Sequence, residues 1–375
     1  KYGMTSLNTA PLRAALDAQK KMLEEYKSEA KFKIEIVESP ESECRANLLA
    51  DLEGGPDVFS FVDDHLMAMV AAGAIEPIED AEKVKSDCLE KAVEASTING
   101  NIYCYPMTAD NGCFMYYDKS VFSDEDIKTL DGMLAAAATK EKKVTMDWTS
   151  GWYLYSFFGN TGLDVGLNDD GISNYCTFNS TEGAIKGVDV ANALMAIAGN
   201  PGFMDAGDDA MIEGMKNGTV AAGVSGIWLA DKVEKALGKN YGAAPLPTYT
   251  CAGKQVQMGS YVGYKMIGVN SHSPNKEWAT KLAEYITSEK NQLLRFEQRG
   301  QGPANINASE TDGVKNDLAI KALIEQSDFG SLQRIGGKYW EPVADFGTDM
   351  AGGKYNENQL QDVMDELVTK ITQIG

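Results

Sequence analysis

Histidine is nearly absent from this sequence: its 375 residues include two, His65 and His272. A histidine-based metal centre needs more imidazoles than that, and a Ser-His-Asp triad has almost no candidate base. The six cysteines, at positions 44, 88, 104, 113, 176 and 251, contain no CxxC pair. Their spacing fits neither a zinc ribbon nor a knottin-like scaffold. An even count is compatible with disulfides in an exported protein and equally with buried free thiols. No apolar run approaches the roughly 20 residues needed to cross a bilayer. Positive charge is also scarce. Lys and Arg number 34 against 55 Asp and Glu, a net charge of −21. Such a surface repels phosphate backbones and anionic lipid, so no nucleic-acid partner is expected. An anionic small ligand is disfavoured for the same reason unless a local basic pocket overrides the field.

Several motifs are missing as well. There is no GxxxxGK[ST] loop. Gly300-Gln301-Gly302 lacks the third glycine of GxGxxG and follows a helical pattern rather than a strand. Gly223-Val224-Ser225-Gly226 does not have the GxSxG spacing of a nucleophile elbow. No cofactor is expected, and no metal site. The neighbours Tyr116 and Tyr117 could suggest ferric-iron ligation, but adjacent residues on a strand point to opposite faces. Paired carboxylates could hydrolyse glycosides, and acids this numerous do not exclude it. The chain starts at Lys1 rather than Met, with no signal peptide in view, which a cleaved or trimmed N-terminus would explain.

What is present is an ordinary globular balance, 43% hydrophobic and 24% charged, over a length that predicts two domains. No internal repeat or low-complexity linker separates them, so short crossings are expected rather than a tether. Along the chain, strand and helix patterns alternate. Tyr2–Leu7 reads as a strand. Pro11 then opens a helix striped by Leu12, Leu16, Leu23 and Tyr26. Phe32, Ile34 and Ile36 alternate with charge, and a helix follows Pro40 until Gly54-Gly55-Pro56 breaks it. Strands are predicted at Asp57–Val62, Lys143–Asp147, Thr219–Val224 and Tyr261–Val269. Ile185, Val188 and Met195 share one helical face, and Trp278, Leu282, Tyr285 and Ile286 stripe another helix. Leu360, Val363, Met364, Leu367, Val368 and Ile371 form a third stripe in a largely helical C-terminal third. This alternation predicts an α/β fold with right-handed crossovers.

Open α/β sheets bind ligands beyond the carboxyl ends of their strands. The predicted strand-to-helix turns carry Asn8 and Thr9; Glu41 and Glu43; Phe61, Asp63 and Asp64; Trp148, Trp152 and Tyr153; and Trp228. Each Asp alone reads more readily as a helix cap. Aromatics and carboxylates recurring together point to a cleft. A sugar ring has an apolar C–H face and a rim of hydroxyls: flat aromatics cover the face, and ionised carboxylates accept the hydroxyl protons. Trp278 lies on its helix's apolar stripe and reads as core. Trp152, Trp228 and Trp340 do not, so replacing Trp228 or Trp340 by Ala is expected to cost more binding than replacing Trp278.

Five segments in order carry a resemblance. They are Gly55-Pro56-Asp57-Val58-Phe59 with Asp64; Asn99-Gly100-Asn101-Ile102-Tyr103-Cys104-Tyr105-Pro106; Tyr116-Tyr117-Asp118-Lys119; Asn217-Gly218-Thr219 through Gly226-Ile227-Trp228; and Gly268-Val269-Asn270 with Ser273-Pro274-Asn275-Lys276-Glu277. Together the sequence resembles the family 1 extracellular solute-binding proteins of ABC transporters, in particular the maltose/maltodextrin-binding branch. The resemblance implies a two-lobe, type II periplasmic-binding-protein-like fold with a ligand cleft between lobes and three hinge crossings. Its lobes would be 1–110 plus 264–310 and 111–263 plus 311–375. It implies a non-catalytic protein that binds an oligosaccharide, malto-oligosaccharides first, and delivers it to importer membrane subunits as a monomer. The protein would be exported, as a Gram-positive cell-surface lipoprotein or in a periplasm. Phe61, Trp228, Trp340 and the Trp152-Tyr153 region fall at stacking positions, and Asp64 and Asp110 at hydroxyl-binding carboxylates, with Glu43 near another polar contact. Asp110 is one methylene shorter than the glutamate usual there, and His65 replaces an arginine; both bear on which sugar is bound. A same-fold binder of a polyamine, a glycoside hydrolase acting on similar sugars and a signalling module are the alternatives.

Overall fold

The structure, a computed structural model, describes residues 2–6, 24 and 34–373. The helix expected after Pro11 and the candidate residue Asn8 lie outside the described residues. The chain divides into two compact units: Lys1–Asp110 with Gly263–Asn316, and Asn111–Val262 with Asp317–Gly375. It therefore passes from one unit to the other three times, after Asp110, Val262 and Asn316. Among the described residues no helix is long and apolar enough to cross a membrane.

In the first unit, Tyr2–Ser6 pairs in parallel with Ile36–Pro40 on one side and with Val58–Val62 on the other. Val58–Val62 is in turn antiparallel to the Lys265–Val269 half of the long Ser260–Val269 strand. Four of the five residues of Val58–Val62 are buried, as a strand covered on both faces requires. Its approach is pinned by Asn270, whose side-chain amide donates to the carbonyls of Leu52 and Pro56 at 2.8 and 3.1 Å, a satisfied buried polar group. The core gathers Val58, Ile102, Tyr105 and Ile267 under Leu282, Ala283 and Ile286 of the Lys276–Ile286 helix. Phe32 and Lys33 of the expected Phe32–Ile36 strand lie outside the described residues; among the described residues the strand runs over Ile36–Pro40.

The second unit is built on a five-stranded sheet in the order Phe203–Asp205, Lys143–Met146, Val220–Ser225, Phe114–Asp118, Tyr241–Ala244. The first three strands are parallel, and Phe114–Asp118 runs antiparallel to both of its neighbours. Helices cover both faces. Tyr116 packs with Met211, Met215, Leu229 and Val233, and Tyr117 with Val121, Phe122, Met133 and Leu134. These neighbours therefore do point to opposite faces, as strand alternation dictates. Leu360, Met364, Leu367 and Ile371 bury the predicted stripe of the Leu360–Ile371 helix. In the Gly187–Ala198 helix the buried face is instead Val190, Ala191, Leu194 and Ile197; Ile185 precedes the helix, and Val188 and Met195 are half-buried. The Trp340–Ala351 helix approaches so closely that a Cβ on Gly347 would lie 2.0 Å from the Trp148 carbonyl oxygen.

Candidate functional site

Three parallel strands of the second unit end side by side, at Met146, Asp205 and Ser225. The chain leaves each through a short turn into a helix, which places three sets of side chains beyond one sheet edge. After Met146 come Asp147 and Trp148, then the Gly151–Leu154 helix with Trp152 and Tyr153. After Asp205 come Ala206 and Gly207, then the Asp208–Asn217 helix. After Ser225 comes Gly226, then the 3-10 turn Ile227–Leu229 carrying Trp228.

Trp228 is 48% exposed, the most open tryptophan of this cluster. Its indole Nε1 donates to Asp208 Oδ2 at 2.9 Å. The other oxygen of the same carboxylate accepts from Ser225 Oγ at 2.7 Å, and the Tyr153 hydroxyl lies 3.4 Å from that Oγ. Gly226 is required here. A Cβ on it would lie 2.1 Å from the Trp228 ring, so the ring rests against bare backbone. Tyr116 holds that turn from below, its hydroxyl donating to the Gly226 carbonyl at 2.9 Å. Trp152 stands beside Trp228, with 5.9 Å between ring centroids, and its Nε1 donates to Gln333 Oε1 at 3.2 Å. Trp340 is half-buried and meets Tyr339 and Tyr261 edge-on, at 5.0 and 6.2 Å. Burial pushes the phenols of Tyr153, Tyr261 and Tyr339 up, so they stay neutral at physiological pH. The Asp205 carboxyl is also raised by burial, against the Trp148 N–H that it accepts at 2.8 Å. The exposed part of this cluster is thus indole, Trp228 above all, a chemistry suited to the C–H faces of rings, while the three phenols are buried beneath it.

In the first unit, two expected ligand residues turn out to be interior. Phe61 is 1% exposed, packed against Phe59 with 5.6 Å between centroids and against the backbone of Gly268. Asp63 is equally buried, and its carboxylate accepts the Tyr264 backbone N–H at 2.7 Å. A strand covered on both faces leaves no open ring at Phe61, and the first acid after it serves the neighbouring strand. Asp64 and His65 remain half-buried on the turn, with 3.7 Å between His65 Nε2 and Asp64 Oδ1. Glu43 is exposed on the Glu41–Ala50 helix. Asp110, at the end of the unit, accepts from Thr108 Oγ1 at 2.7 Å. Burial lowers the Arg299 guanidinium's pKa, and the charge of Asp110 opposes that.

Two tryptophans reverse their expected roles. Trp148 is fully buried, between Phe157 and Phe203, and presents nothing to a ligand. Trp278 is 42% exposed, with Lys281 Nζ 4.7 Å from its ring centroid. Asp208 and Gln333 were not singled out by sequence reasoning, and Gly226 entered it only within the Gly223-Val224-Ser225-Gly226 and Gly226-Ile227-Trp228 segments. The signal for Asp208 was Gly207-Asp208-Asp209 ahead of an apolar run, which reads as a helix start; here the cap is Gly207 and Asp208 is free to turn to Trp228. None of the six cysteines is in a disulfide. Among the described residues no three His, Cys, Asp or Glu side chains come together to hold a metal ion.

The chain matches known proteins along most of its length. It is 24% identical over 357 residues to the galactooligosaccharide-binding protein of Bacillus subtilis strain 168, covering 90% of this chain and 82% of that one. The structure of a maltodextrin binding protein from L. casei BL23, without ligand, superposes with a TM-score of 0.84 at 25% identity, covering 100% of this chain and 98% of that one. A cyclo/maltodextrin-binding protein complexed with maltotetraose has the same fold, with a TM-score of 0.81 at 22% identity over 98% and 96% of the two chains. These are two-lobe solute-binding proteins, and the fold described above is theirs. The family model for bacterial extracellular solute-binding proteins matches residues 21–322, well over half of the sequence, and the chain belongs to that family.

Proposed function

We propose that this protein binds a neutral oligosaccharide, malto-oligosaccharides first, without turning it over, and delivers it to the membrane subunits of an ABC importer. The observation that carries the reading is the half-open tryptophan surface of the second unit, where Trp152 and Trp228 have their indole N–H groups occupied and their rings held. Fixed flat rings suit the C–H faces of successive sugar units. Trp340 extends this surface, whereas Tyr153, an expected ligand residue, is buried beneath it with its hydroxyl toward Ser225; Asp64, Asp110 and Glu43 of the first unit supply hydroxyl acceptors. Relatives that bind galactooligosaccharide, maltodextrin and maltotetraose support the substrate class. The three crossings, after Asp110, Val262 and Asn316, serve as hinges, and ligand favours the closed state by its preference for it. The protein acts outside the membrane, as a lipid-anchored or periplasmic monomer.

Titration calorimetry against a panel of malto- and galacto-oligosaccharides tests this, with chromatography of the recovered sugar. Saturable one-to-one binding with intact sugar is expected. Shortened products would make it a hydrolase, and silence across the panel would reject the oligosaccharide reading.

A further inference from the structure

We infer that Asp208 is a positioning residue for the binding surface: it fixes the plane of Trp228 and does not itself contact ligand. The inference rests on the oligosaccharide reading above and deepens it. An indole joined to the chain through two rotatable bonds and 48% exposed would ordinarily sample several rotamers. Here three independent contacts remove that freedom. The carboxylate of Asp208 takes the indole N–H at 2.9 Å. One side of the ring lies on Gly226, where a Cβ would stand 2.1 Å from it. Trp152 closes the flank at 5.9 Å, tilted by 49°, and is itself tied to Gln333. Asp208 is in turn held by the helix it opens and by Ser225 Oγ at 2.7 Å. Both carboxylate oxygens are thus engaged within the unit, which sets Asp208 apart from acids that accept sugar hydroxyls. The result is a ring with one open face, ordered before ligand arrives. A ring that must be ordered on binding weakens affinity, here by about tenfold or less.

The test compares Asp208→Ala, Asp208→Asn, Trp228→Phe and the double variant Asp208→Ala/Trp228→Phe, each shown to be folded by its thermal transition. Maltotetraose is the probe, and the time-resolved fluorescence anisotropy of Trp228 is read without ligand, as the difference from the matching Trp228→Phe protein. Asp208→Ala is expected to weaken binding up to about tenfold and to speed the ring's depolarisation. Asparagine keeps an acceptor oxygen for the indole and an amide for Ser225, so it should rescue both. In the Trp228→Phe background, which has no N–H to hold, removing Asp208 should cost nothing further. An equal loss in that background would overturn the inference, as would unchanged anisotropy in Asp208→Ala. Asp208→Ser, too short to reach the indole, replaces the alanine variant should that fail to fold. If wild-type protein ignores maltotetraose, the sugar reading fails on its own, and the anisotropy alone decides whether Asp208 holds the ring.

Discussion

Trp152 and Trp228 lie 5.9 Å apart, ring centroid to ring centroid, at 49°, although they follow different strands of one sheet. Their meeting is set by topology: Lys143–Met146 and Val220–Ser225 are parallel neighbours, so their carboxyl-end turns open onto the same edge. A paired-indole surface behaves as a unit, and it gives the first expectation. Trp228→Ala and Trp152→Ala should each weaken oligosaccharide binding by about 2 kcal/mol, roughly thirtyfold, with Trp340→Ala in the same range. Trp278→Ala should change binding by less than about 0.5 kcal/mol. Calorimetric titration of the four folded variants checks the order, and a larger loss at Trp278 than at Trp228 would displace the site.

Trp148 and Gly347 should affect folding instead. Trp148→Ala removes a fully buried ring between two phenylalanines and should cost about 3–5 kcal/mol of stability. Gly347→Ala drives a methyl into the Trp148 carbonyl, a backbone atom that cannot swing aside, and should cost about 1–3 kcal/mol. Urea denaturation measures both. Trp148→Ala protein that remains folded should keep its sugar affinity.

The buried thiols make a third expectation. Burial pushes Cys88, Cys113 and Cys176 up to about 12 from an ordinary value of 9.0. At pH 8 the native protein should resist a thiol reagent such as a disulfide-exchanging chromophore, and all six cysteines should react once it is unfolded. A raised folded pKa means stability that is complete below pH 9 and is lost as pH climbs towards 12. The unfolded thiols ionise over that range while the native ones hold their protons, at about 1.4 kcal/mol per pH unit for each thiol. Unfolding midpoints at pH 8, 9 and 10 should therefore fall, and substituting Cys113 by Ala should flatten the decline.

Glu284 gives the opposite kind of pH signature. Partial burial, then the neighbouring Asp80 carboxyl, raise its pKa. Its surroundings disfavour the charged form, so at neutral pH Glu284→Gln should raise stability by up to about 0.5 kcal/mol. The sign follows from the raised value: the native state favours the protonated acid, so the advantage of glutamine should vanish as pH falls below the ordinary glutamate range. Denaturation of both proteins at pH 7 and pH 4 separates the two conditions.

The α/β alternation was legible because each strand and helix carries its own period. The buried stripe of Leu360–Ile371 and the strand at Ser260–Val269 follow directly from it. Periodicity failed where it had to say how deep a ring sits. Trp278 shares the spacing of Leu282 and Ile286, yet it is 42% exposed, with the Lys281 ammonium 4.7 Å from its ring centroid. Trp148 shares a turn with Trp152, yet it folds inward between Phe157 and Phe203. The strand Phe203–Asp205 is three residues long, too short for any pattern, and it is what brings Asp208 within reach of Trp228. Side-chain partners of this kind are set by which strands are neighbours, information that no local window contains.

The three passages of the chain between its units have a consequence for synthesis. The first unit takes its antiparallel strand from Gly263 onward, and the second takes its last helices from Asp317 onward. Neither can close its core while only its opening segment has been made. Long-range pairing of this kind is slow, because loops must close before contacts compensate for them. A nascent chain halted near Val262 would therefore hold one sheet without its Lys265–Val269 strand and another without the helices that follow Asp317. That is a state in which export machinery or a chaperone finds it still threadable.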